Sequence, residues 1–271
     1  RNRQYQCLRT LATFKESIQD DVQVVVCDNS DDEHRLERDL VELFGGEGFP
    51  TWLTFEKKTE SQPVRSMREN WEFTLQQAIG EWVTFIGDDD YCDPKVGSFL
   101  KRFCEYDNAF DYVGWSHLKY QWPDVSEHDV TVQVNLSNKI KLFPIQKGFD
   151  QILKCEGNRP TAMLTPYHGA IRRSLIDRVR SDFGTDNQFF KHSNVDYYPG
   201  WLAASRSKKA AFCMRQLSVA GASKGSNSYF TRNEGLAIAG KIAAAESRGD
   251  KGVGAGIVDS VALRDDISSL T

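Results

Sequence analysis

The segment WVTFIGDDD, residues 82–90, decides the fold of this chain. Its first five residues are aromatic, aliphatic or β-branched, which is typical of a strand buried inside a sheet. Three aspartates follow after one glycine, and we call residues 88–90 the aspartate triplet. Because adjacent carboxylates repel one another, they are stable together only where a cation or hydrogen-bond donors offset their charge. The segment therefore predicts a functional acidic loop at the end of a buried strand, and the alternative is a solvated acidic turn.

Strands and helices alternate around this segment. Helices are predicted over residues 4–17, 33–44, 67–79 and 95–106, and strands over 23–27, 51–55, 82–86 and 112–115. This alternation predicts an α/β fold with right-handed βαβ units and a mostly parallel sheet flanked by helices. In such sheets ligands bind at the carboxyl ends of the strands. The polar loop 28–32 follows the first of these strands, so we expect it at the same edge as the aspartate triplet.

The rest of the chain has a less regular pattern. Strands are predicted over 131–135, 139–143, 170–171, 208–214 and 217–220, and helices over 149–155, 173–180, 201–204, 236–247 and 257–270. These predictions divide the chain into an α/β half over residues 1–115, a smaller mixed region over 116–230 and C-terminal helices over 231–271. We expect the first two to be halves of one domain, the first binding a nucleotide and the second an acceptor.

The composition argues against several classes of protein. The chain has 271 residues, of which 40% are hydrophobic and 27% charged, as in a folded globular protein. Its net charge of −4 provides no basic field for binding nucleic acid. Six cysteines without C-x-x-C spacing predict neither a zinc knuckle nor a redox site and favour a reducing compartment. No apolar run of about 18 residues and no signal peptide is visible, so we expect a cytoplasmic location.

Several polar residues near the predicted strand ends suit a nucleotide site. Two carboxylates one residue apart, Asp88 and Asp90, provide the oxygen ligands that Mg²⁺ and Mn²⁺ prefer. Asp28 ends the first predicted strand, where it could accept an N–H of a base or cap the following helix. Arg65 and Arg68 precede or begin the helix before the triplet strand, where an arginine could meet a base or a diphosphate.

Five short motifs occur in a fixed order over the first 95 or so residues. They are Asn2-Arg3 with Leu8 and Thr10-Leu11, VVVCDNS at 24–30, Arg68-Glu69-Asn70, Ala78-Ile79-Gly80, and FIGDDD at 85–90. Their order resembles that of the inverting family 2 glycosyltransferases, which have the nucleotide-diphospho-sugar transferase fold called GT-A. The resemblance implies one more strand before Asn2, so we expect that strand to exist in the native protein.

The resemblance also implies roles for single residues. Asp28 would bind the nucleobase, Arg68 would lie beside the base or diphosphate, Asp88 and Asp89 would contact ribose or metal, and Asp90 would be the principal ligand of Mn²⁺ or Mg²⁺. The implied partners are a nucleoside-diphosphate sugar, with a UDP-sugar as the first guess, and a glycan or lipid-linked acceptor. Surface polysaccharide synthesis, with peripheral association at the inner face of the membrane, is the implied setting.

An inverting transferase needs a base that deprotonates the acceptor hydroxyl. The resemblance implies an acidic residue roughly a hundred positions beyond the metal motif, and Asp196 is the best candidate, with Asp186 and His192 as alternatives. His168 could contact the acceptor or be a structural histidine. Lys224 lies in a loop, 221–229, that could close over the donor diphosphate or be a plain surface loop.

Three tryptophans could stack on sugar rings, although core packing is the default for each: Trp115, Trp122 and Trp201. Taken together, these features predict a metal-dependent glycosyltransferase that inverts the anomeric centre. Two alternatives stay open from the sequence. One is a nucleotidyltransferase, which shares the sheet and the use of metal, and the other is a nucleotide-sugar-binding protein without turnover.

Overall fold

The fold was analysed in a computed structural model of the chain. The structure describes residues 2–18, 21–30, 36–46, 48–59, 61–125, 134, 136–146, 149–150, 154, 164–183, 186–192 and 194–226. The predicted strand at 131–135, the predicted helix at 149–155 and the two predicted C-terminal helices lie largely or wholly outside these residues. No helix in the described part of the chain is both long and apolar enough to cross a bilayer.

The described elements alternate as the sequence predicts. In chain order they are α1 (Gln4–Ser17), β1 (Val24–Asp28), α2 (Leu36–Phe44), β2 (Leu53–Lys57), α3 (Met67–Gln77), β3 (Trp82–Val83), β4 (Tyr91–Cys92), α4 (Val96–Tyr106), β5 (Tyr112–Gln121), β6 (Ile140–Leu142), β7 (Gly169–Arg172), α5 (Arg173–Phe183), α6 (Tyr197–Arg206) and β8 (Ala210–Ala222). Several bounds differ from the prediction. β2 begins two residues later, because Leu53 N donates to Pro50 O in a turn that uses the preceding residues. β3 ends at Val83, although a strand is predicted to residue 86, and beyond it Phe85 forms only an isolated parallel bridge with Tyr167. β4 is not predicted, and β5 continues six residues beyond its predicted end.

The strands form two sheets, and the prediction of a mostly parallel sheet is wrong. β1 and β2 form a parallel pair, and the larger sheet has the order β3-β7-β5-β8-β4, with β6 also paired to β8. Among the described strands of the larger sheet, only β5 and β8 pair in parallel. β7 lies antiparallel between β3 and β5, so these two strands point the same way without touching. The architecture is therefore a mixed α/β fold with a central sheet.

β8 is one long strand where the sequence predicts two. Its register against β5 pairs Trp115 with Cys213 and then Ser116 with Gln216, so two residues of β8 are extra at this point. Such a bulge interrupts the alternation of side chains and increases the local twist. The break in alternation explains why the sequence pattern divides the strand.

The start of α3 is fixed by its own sequence. Ser66 accepts a hydrogen bond from the backbone of Glu69, and the Glu69 carboxylate accepts from the backbone of Ser66. This capping box satisfies two of the amide donors that a helix start leaves without partners. It places Met67 at the first helical position, as predicted.

Three hydrophobic clusters cover the sheets with helices. The first joins β3, β5 and β7 to α3, α5 and α6, and its members include Leu75, Ile171, Phe189 and Leu202. The second lies between the larger sheet and α4, and the third packs α1 and α2 on β1 and β2. Ile86 packs against both the second and the third cluster, so the segment that leads into the aspartate triplet lies where the two sheets approach each other.

β1 differs from its prediction in burial. All five of its residues are half-buried, although the run Val24–Val26 predicts a fully buried strand. In the described part of the chain β1 pairs with β2 and with no other strand. The additional strand that the resemblance implies stays a prediction.

Candidate functional site

The two acidic loops meet at one edge of the molecule. Asn2 donates its backbone N–H to Ser30 Oγ over 3.0 Å, and the next residue, Arg3, forms ion pairs with Asp88 and Asp89. Consecutive residues therefore connect the loop after β1 to the triplet after β3. Cys7 lies near both loops. Its burial, followed by the charges of Asp88 and Asp28, raises the pKa of its thiol to about 12.

The aspartate triplet turns into the protein rather than out to solvent. Asp89 and Asp90 are only 5% and 2% exposed. Asp89 Oδ2 contacts Arg3 Nη1 at 2.9 Å and accepts a hydrogen bond from Ser223 Oγ over 2.8 Å. The backbone carbonyl of Asp89 accepts from the indole N–H of Trp122 over 2.8 Å. Each carboxylate in the triplet thus has partners from distant parts of the chain, and the solvated acidic turn is excluded.

Asp90 is held by three protein donors. The backbone amides of Gly87 and Gly221 donate to its two carboxylate oxygens over 2.8 and 2.6 Å, and the hydroxyl of Tyr167 contacts Oδ2. Burial and the adjacent charge of Asp89 raise the pKa of Asp90 to about 7, although these amides oppose the shift. In this arrangement Asp90 organises the loop.

Arg3 is the residue that sequence reasoning missed. Its guanidinium bridges Asp88 and Asp89, and its aliphatic stem lies under Gly225, where an added Cβ would come within 3.1 Å of Arg3 Cδ. Desolvation by burial lowers the pKa of Arg3, but the three carboxylates outweigh it and hold the pKa above its ordinary value. The sequence contains Arg3 within the Asn2-Arg3 motif. It does not predict an ion pair with the triplet, because residues 88–90 are far from Arg3 in sequence.

The carboxylate oxygens of the triplet are of the kind that bind a divalent cation. Asp88 and Asp89 already converge on a single positive group, Arg3, and their oxygens are the hard ligands that Mg²⁺ and Mn²⁺ take. Among the described residues, however, no group of three His, Cys, Asp or Glu side chains could hold a metal by itself. A cation here would exchange places with Arg3 and complete its coordination with water or phosphate oxygens.

Asp28 caps the structure around it. Its Oδ1 accepts from Ser30 N over 2.9 Å and its Oδ2 from Leu36 N, the first residue of α2, over 3.3 Å. This is the capping role that the sequence left open beside base binding. Asn29 exchanges two hydrogen bonds with the backbone of Arg65 and so ties the loop to the start of α3.

The two arginines predicted near the nucleotide, Arg65 and Arg68, contact neighbouring segments. Arg65 lies over the ring of Phe73 at 4.0 Å, and Arg68 donates from Nη1 to Lys191 O over 3.2 Å. Lys191 belongs to the segment that leads to Asp196. Arg68 therefore contacts the part of the chain that carries the candidate base.

Asp196 precedes α6 and is half-buried. Burial alone raises the pKa of its carboxyl to about 6, and no described residue forms a hydrogen bond or ion pair with the carboxylate. The two rivals are engaged elsewhere: Asp186 pairs with Lys191 at 3.5 Å, and His192 accepts a hydrogen bond from Asn194 N over 3.0 Å. Of the three candidates, Asp196 is the one whose carboxylate has no hydrogen-bond or ion-pair partner among the described residues.

The loop that contains Lys224 lies against the triplet. Ser223 Oγ donates to Asp89, and Gly221 N donates to Asp90. Lys224 donates its backbone N–H to Asp124 Oδ2 over 3.1 Å, and Lys224 itself is exposed. Trp115 and Trp201 are 2% and 5% exposed and pack in the core, as the default interpretation held. His168 directly follows the tyrosine that contacts Asp90.

Comparison with known proteins gives a structural likeness. No family model matches the sequence, and no curated protein matches it. Residues 1–349 of TarS from S. aureus, solved in complex with UDP-GlcNAc, superpose with a TM-score of 0.52 at 14% identity over 83% of this chain and 57% of that one. The chain shares its fold with TarS. The same fragment solved in complex with UDP gives a TM-score of 0.49 at 15% identity, over 80% of this chain and 56% of that one. This chain thus spans somewhat more than half of the TarS fragment.

Proposed function

We propose that this protein is a glycosyltransferase that moves a sugar from a nucleoside-diphosphate sugar to a hydroxyl acceptor. The observation that carries the proposal is the meeting of the loop after β1 with the aspartate triplet, joined by Asn2 and Arg3. A TarS fragment of the same fold was solved with UDP-GlcNAc, which supports a UDP-sugar as the first donor to test. Inversion, a glycan or lipid-linked acceptor and peripheral membrane association belong to the same proposal through the family 2 resemblance.

The nucleotide would lie over the loop after β1. Each carboxylate oxygen of Asp28 accepts one backbone hydrogen bond, which leaves lone pairs for an N–H of the base. Arg68 uses one guanidinium N–H for Lys191 O and keeps others for the base or the diphosphate. The two residues therefore keep their predicted roles in this proposal.

The diphosphate would lie over the triplet. A divalent cation, Mn²⁺ or Mg²⁺, would supply positive charge against the leaving diphosphate, and Asp88 and Asp89 would hold it. Until then the Arg3 guanidinium offsets the charge of these two carboxylates. Asp90 as principal metal ligand stays a prediction from the resemblance, since both of its oxygens accept hydrogen bonds from the protein.

Asp196 would act as the general base. With a pKa of about 6, its carboxyl is largely ionised at neutral pH and is more basic than an ordinary aspartate. It would take the proton of the acceptor hydroxyl while that oxygen attacks the anomeric carbon. A single in-line displacement inverts the configuration of that carbon.

A thermal-shift screen with UDP-, GDP-, CMP- and dTDP-sugars, with and without Mn²⁺, tests the binding step. Detection of free nucleoside diphosphate in the presence of hydroxyl acceptors then tests transfer. We expect stabilisation by one base and release of its diphosphate. Release of pyrophosphate from a nucleoside triphosphate would identify a nucleotidyltransferase instead, and binding without any diphosphate release would identify a binding protein.

A further inference from the structure

A buried hydrogen-bond chain ends on the His168 ring. Trp115 on β5 donates its indole N–H to Ser218 Oγ on β8 over 2.9 Å, and Ser218 Oγ lies 2.8 Å from His168 Nδ1. Ser218 is 3% exposed, so this contact is shielded from water. The backbone of Trp115 also donates to His168 O over 3.1 Å, which holds both ends of the chain in register.

The chemistry of these groups sets the direction of the protons. An indole N–H can only donate, so Ser218 Oγ accepts from Trp115. The hydroxyl of Ser218 then needs an acceptor for its own hydrogen, and His168 Nδ1 is the acceptor beside it in the described part of the chain. Nδ1 therefore accepts, and the ring proton of His168 lies on Nε2.

The imidazole stays neutral over the physiological range. Its ring stacks on that of His117 with centroids 4.1 Å apart and planes 21° apart. Burial, followed by the charge of a protonated His117, lowers the pKa of His168 to about 3. An Nε2–H on a neutral ring can donate a hydrogen bond without changing its charge during a reaction cycle.

The other side of the ring is open. No hydrogen bond to Nε2 occurs among the described residues, and Nε2 is not one of their buried side-chain atoms without a partner, so it is accessible. His168 also has φ of +56°, a conformation that costs energy in a residue with a Cβ and clusters at functional sites. Its neighbour Tyr167 contacts Asp90, which places the residue next to the triplet.

We propose that His168 is a fixed donor, through Nε2–H, to a hydroxyl oxygen of the donor sugar or of the sugar acceptor. Ser218 is the positioning residue, because its hydroxyl selects the Nε2–H tautomer. This inference rests on the proposed function for the identity of the ligand. The tautomer itself follows from the hydrogen-bond chain and does not depend on that function.

The first experiment measures the tautomer by long-range ¹H–¹⁵N NMR of the histidine side chains. We expect wild-type His168 as Nε2–H from about pH 6 to pH 8, a mixture of tautomers in Ser218→Ala, and restored Nε2–H in Ser218→Thr. Ser205→Ala is the matched control, since Ser205 donates to a helix carbonyl at Leu202. An Nδ1–H tautomer in the wild type, or no change in Ser218→Ala, overturns the inference.

The second experiment measures the contact with sugar. His168→Ala should lower kcat/KM about tenfold, the effect of one lost hydrogen bond, and His168→Gln should recover most of it because its amide donates from a similar position. Full activity in His168→Ala overturns the contact. If the wild type releases no diphosphate from any donor, the proposed function fails while the tautomer result still stands, and the His168 Nε2 resonance is then followed on addition of UDP-GlcNAc. Absence of a shift in that titration overturns the contact as well.

Discussion

At the scale of single residues, the burial of Asp196 affects stability and, in the proposed function, also activity. The folded pKa of about 6 lies above the value of about 4 for an exposed aspartate. The folded state therefore binds more protons between these values, and the free energy of unfolding falls as pH rises from about 4 to about 6. The loss amounts to at most about 3 kcal/mol, because one pKa unit corresponds to 1.36 kcal/mol. The same raised pKa makes the ionised carboxylate a stronger base.

Asp196→Asn separates these two effects. We expect kcat to fall by about 10²–10⁴, the usual contribution of a general base. We also expect the variant to lose the decrease in stability between pH 4 and pH 6, because asparagine does not ionise. Diphosphate release and urea unfolding across this pH range measure the two. Wild-type activity that does not decline below about pH 6 would contradict the assignment of Asp196 as the base.

In the proposed function, Arg3 would compete with a bound cation for the carboxylates of Asp88 and Asp89. Replacing it by Gln leaves Asp88 and Asp89 with their charges less compensated, so Arg3→Gln should bind Mn²⁺ at least about tenfold more tightly in the absence of nucleotide. Titration followed by the EPR signal of free Mn²⁺ measures this directly. Arg9→Gln is the control, since it makes the same charge change on an exposed position of α1. Equal Mn²⁺ affinity in both variants would show that Arg3 does not occupy the cation position.

At the scale of elements, the end of β8 packs directly on the triplet. A Cβ at Gly221 would lie 1.7 Å from the backbone oxygen of Asp89, whereas one at Gly225 would meet side-chain atoms, Arg3 Cδ at 3.1 Å and Ser223 Oγ at 4.0 Å. A backbone atom moves less easily than a side-chain atom. We therefore expect Gly225 to tolerate substitution by alanine better than Gly221 does.

Gly221→Ala should therefore lower stability by about 1–3 kcal/mol, the usual cost of forcing extra atoms into a packed site. It should also weaken nucleotide binding, because the amide of Gly221 could no longer reach Asp90. Thermal unfolding of both variants tests this. Gly225→Ala should stay within about 1 kcal/mol of the wild type, and a larger loss there than at Gly221 would contradict the packing argument.

The elements themselves were mostly predictable because each has a local cause. The capping box at Ser66 starts α3, and the apolar period of residues 4–17 gives α1. The order of strands in the sheet is not set by local sequence. β7 lies between β3 and β5, although its residues are more than fifty positions from their partners in β5. The sequence pattern predicts two strands on either side of the β8 bulge. The alternation of side chains alone does not distinguish a bulge within a strand from the end of a strand.

At the scale of the whole molecule, the two sheets should differ in local stability. In the described part of the chain, β1 and β2 form a two-stranded sheet, and every residue of β1 is half-buried. The first four residues of β5 and the first three of β7 are buried inside a six-stranded sheet. Small sheets with half-exposed backbone open more easily than strands in a core.

Hydrogen exchange measures this difference. Amides of Val24–Asp28 should exchange at least about tenfold faster than those of Tyr112–Trp115, corresponding to about 1.4 kcal/mol in opening free energy. A UDP-sugar that binds the loop after β1 should slow exchange in β1 and so reduce the difference in exchange rate between the two strands. Equal protection of both strands in the free protein would contradict the division into a weaker and a stronger sheet.

The candidate site was predictable where one segment carried several polar groups and not where distant segments meet. Asp28 and the triplet are predicted at one edge because parallel strands of one sheet end together. The structure has β1 and β3 in different sheets, and the two loops are linked instead through Asn2 and Arg3. Arg3, Tyr167 and Ser223 were not expected, since each reaches the triplet from far along the sequence. The proposed role of His168 depends on Ser218 and Trp115, which lie on β8 and β5.

Trp122 gives this protein a built-in optical signal. Its indole N–H donates to the backbone of Asp89, and its ring meets Tyr5 edge-on with centroids 6.0 Å apart. The emission of an indole depends on the polarity and hydrogen bonding around it, so we expect a rearrangement of the triplet to change the fluorescence of Trp122, one of six tryptophans in the chain. Stopped-flow mixing with Mn²⁺ and nucleotide could thus resolve the order in which they arrive, without a dye attached to the chain.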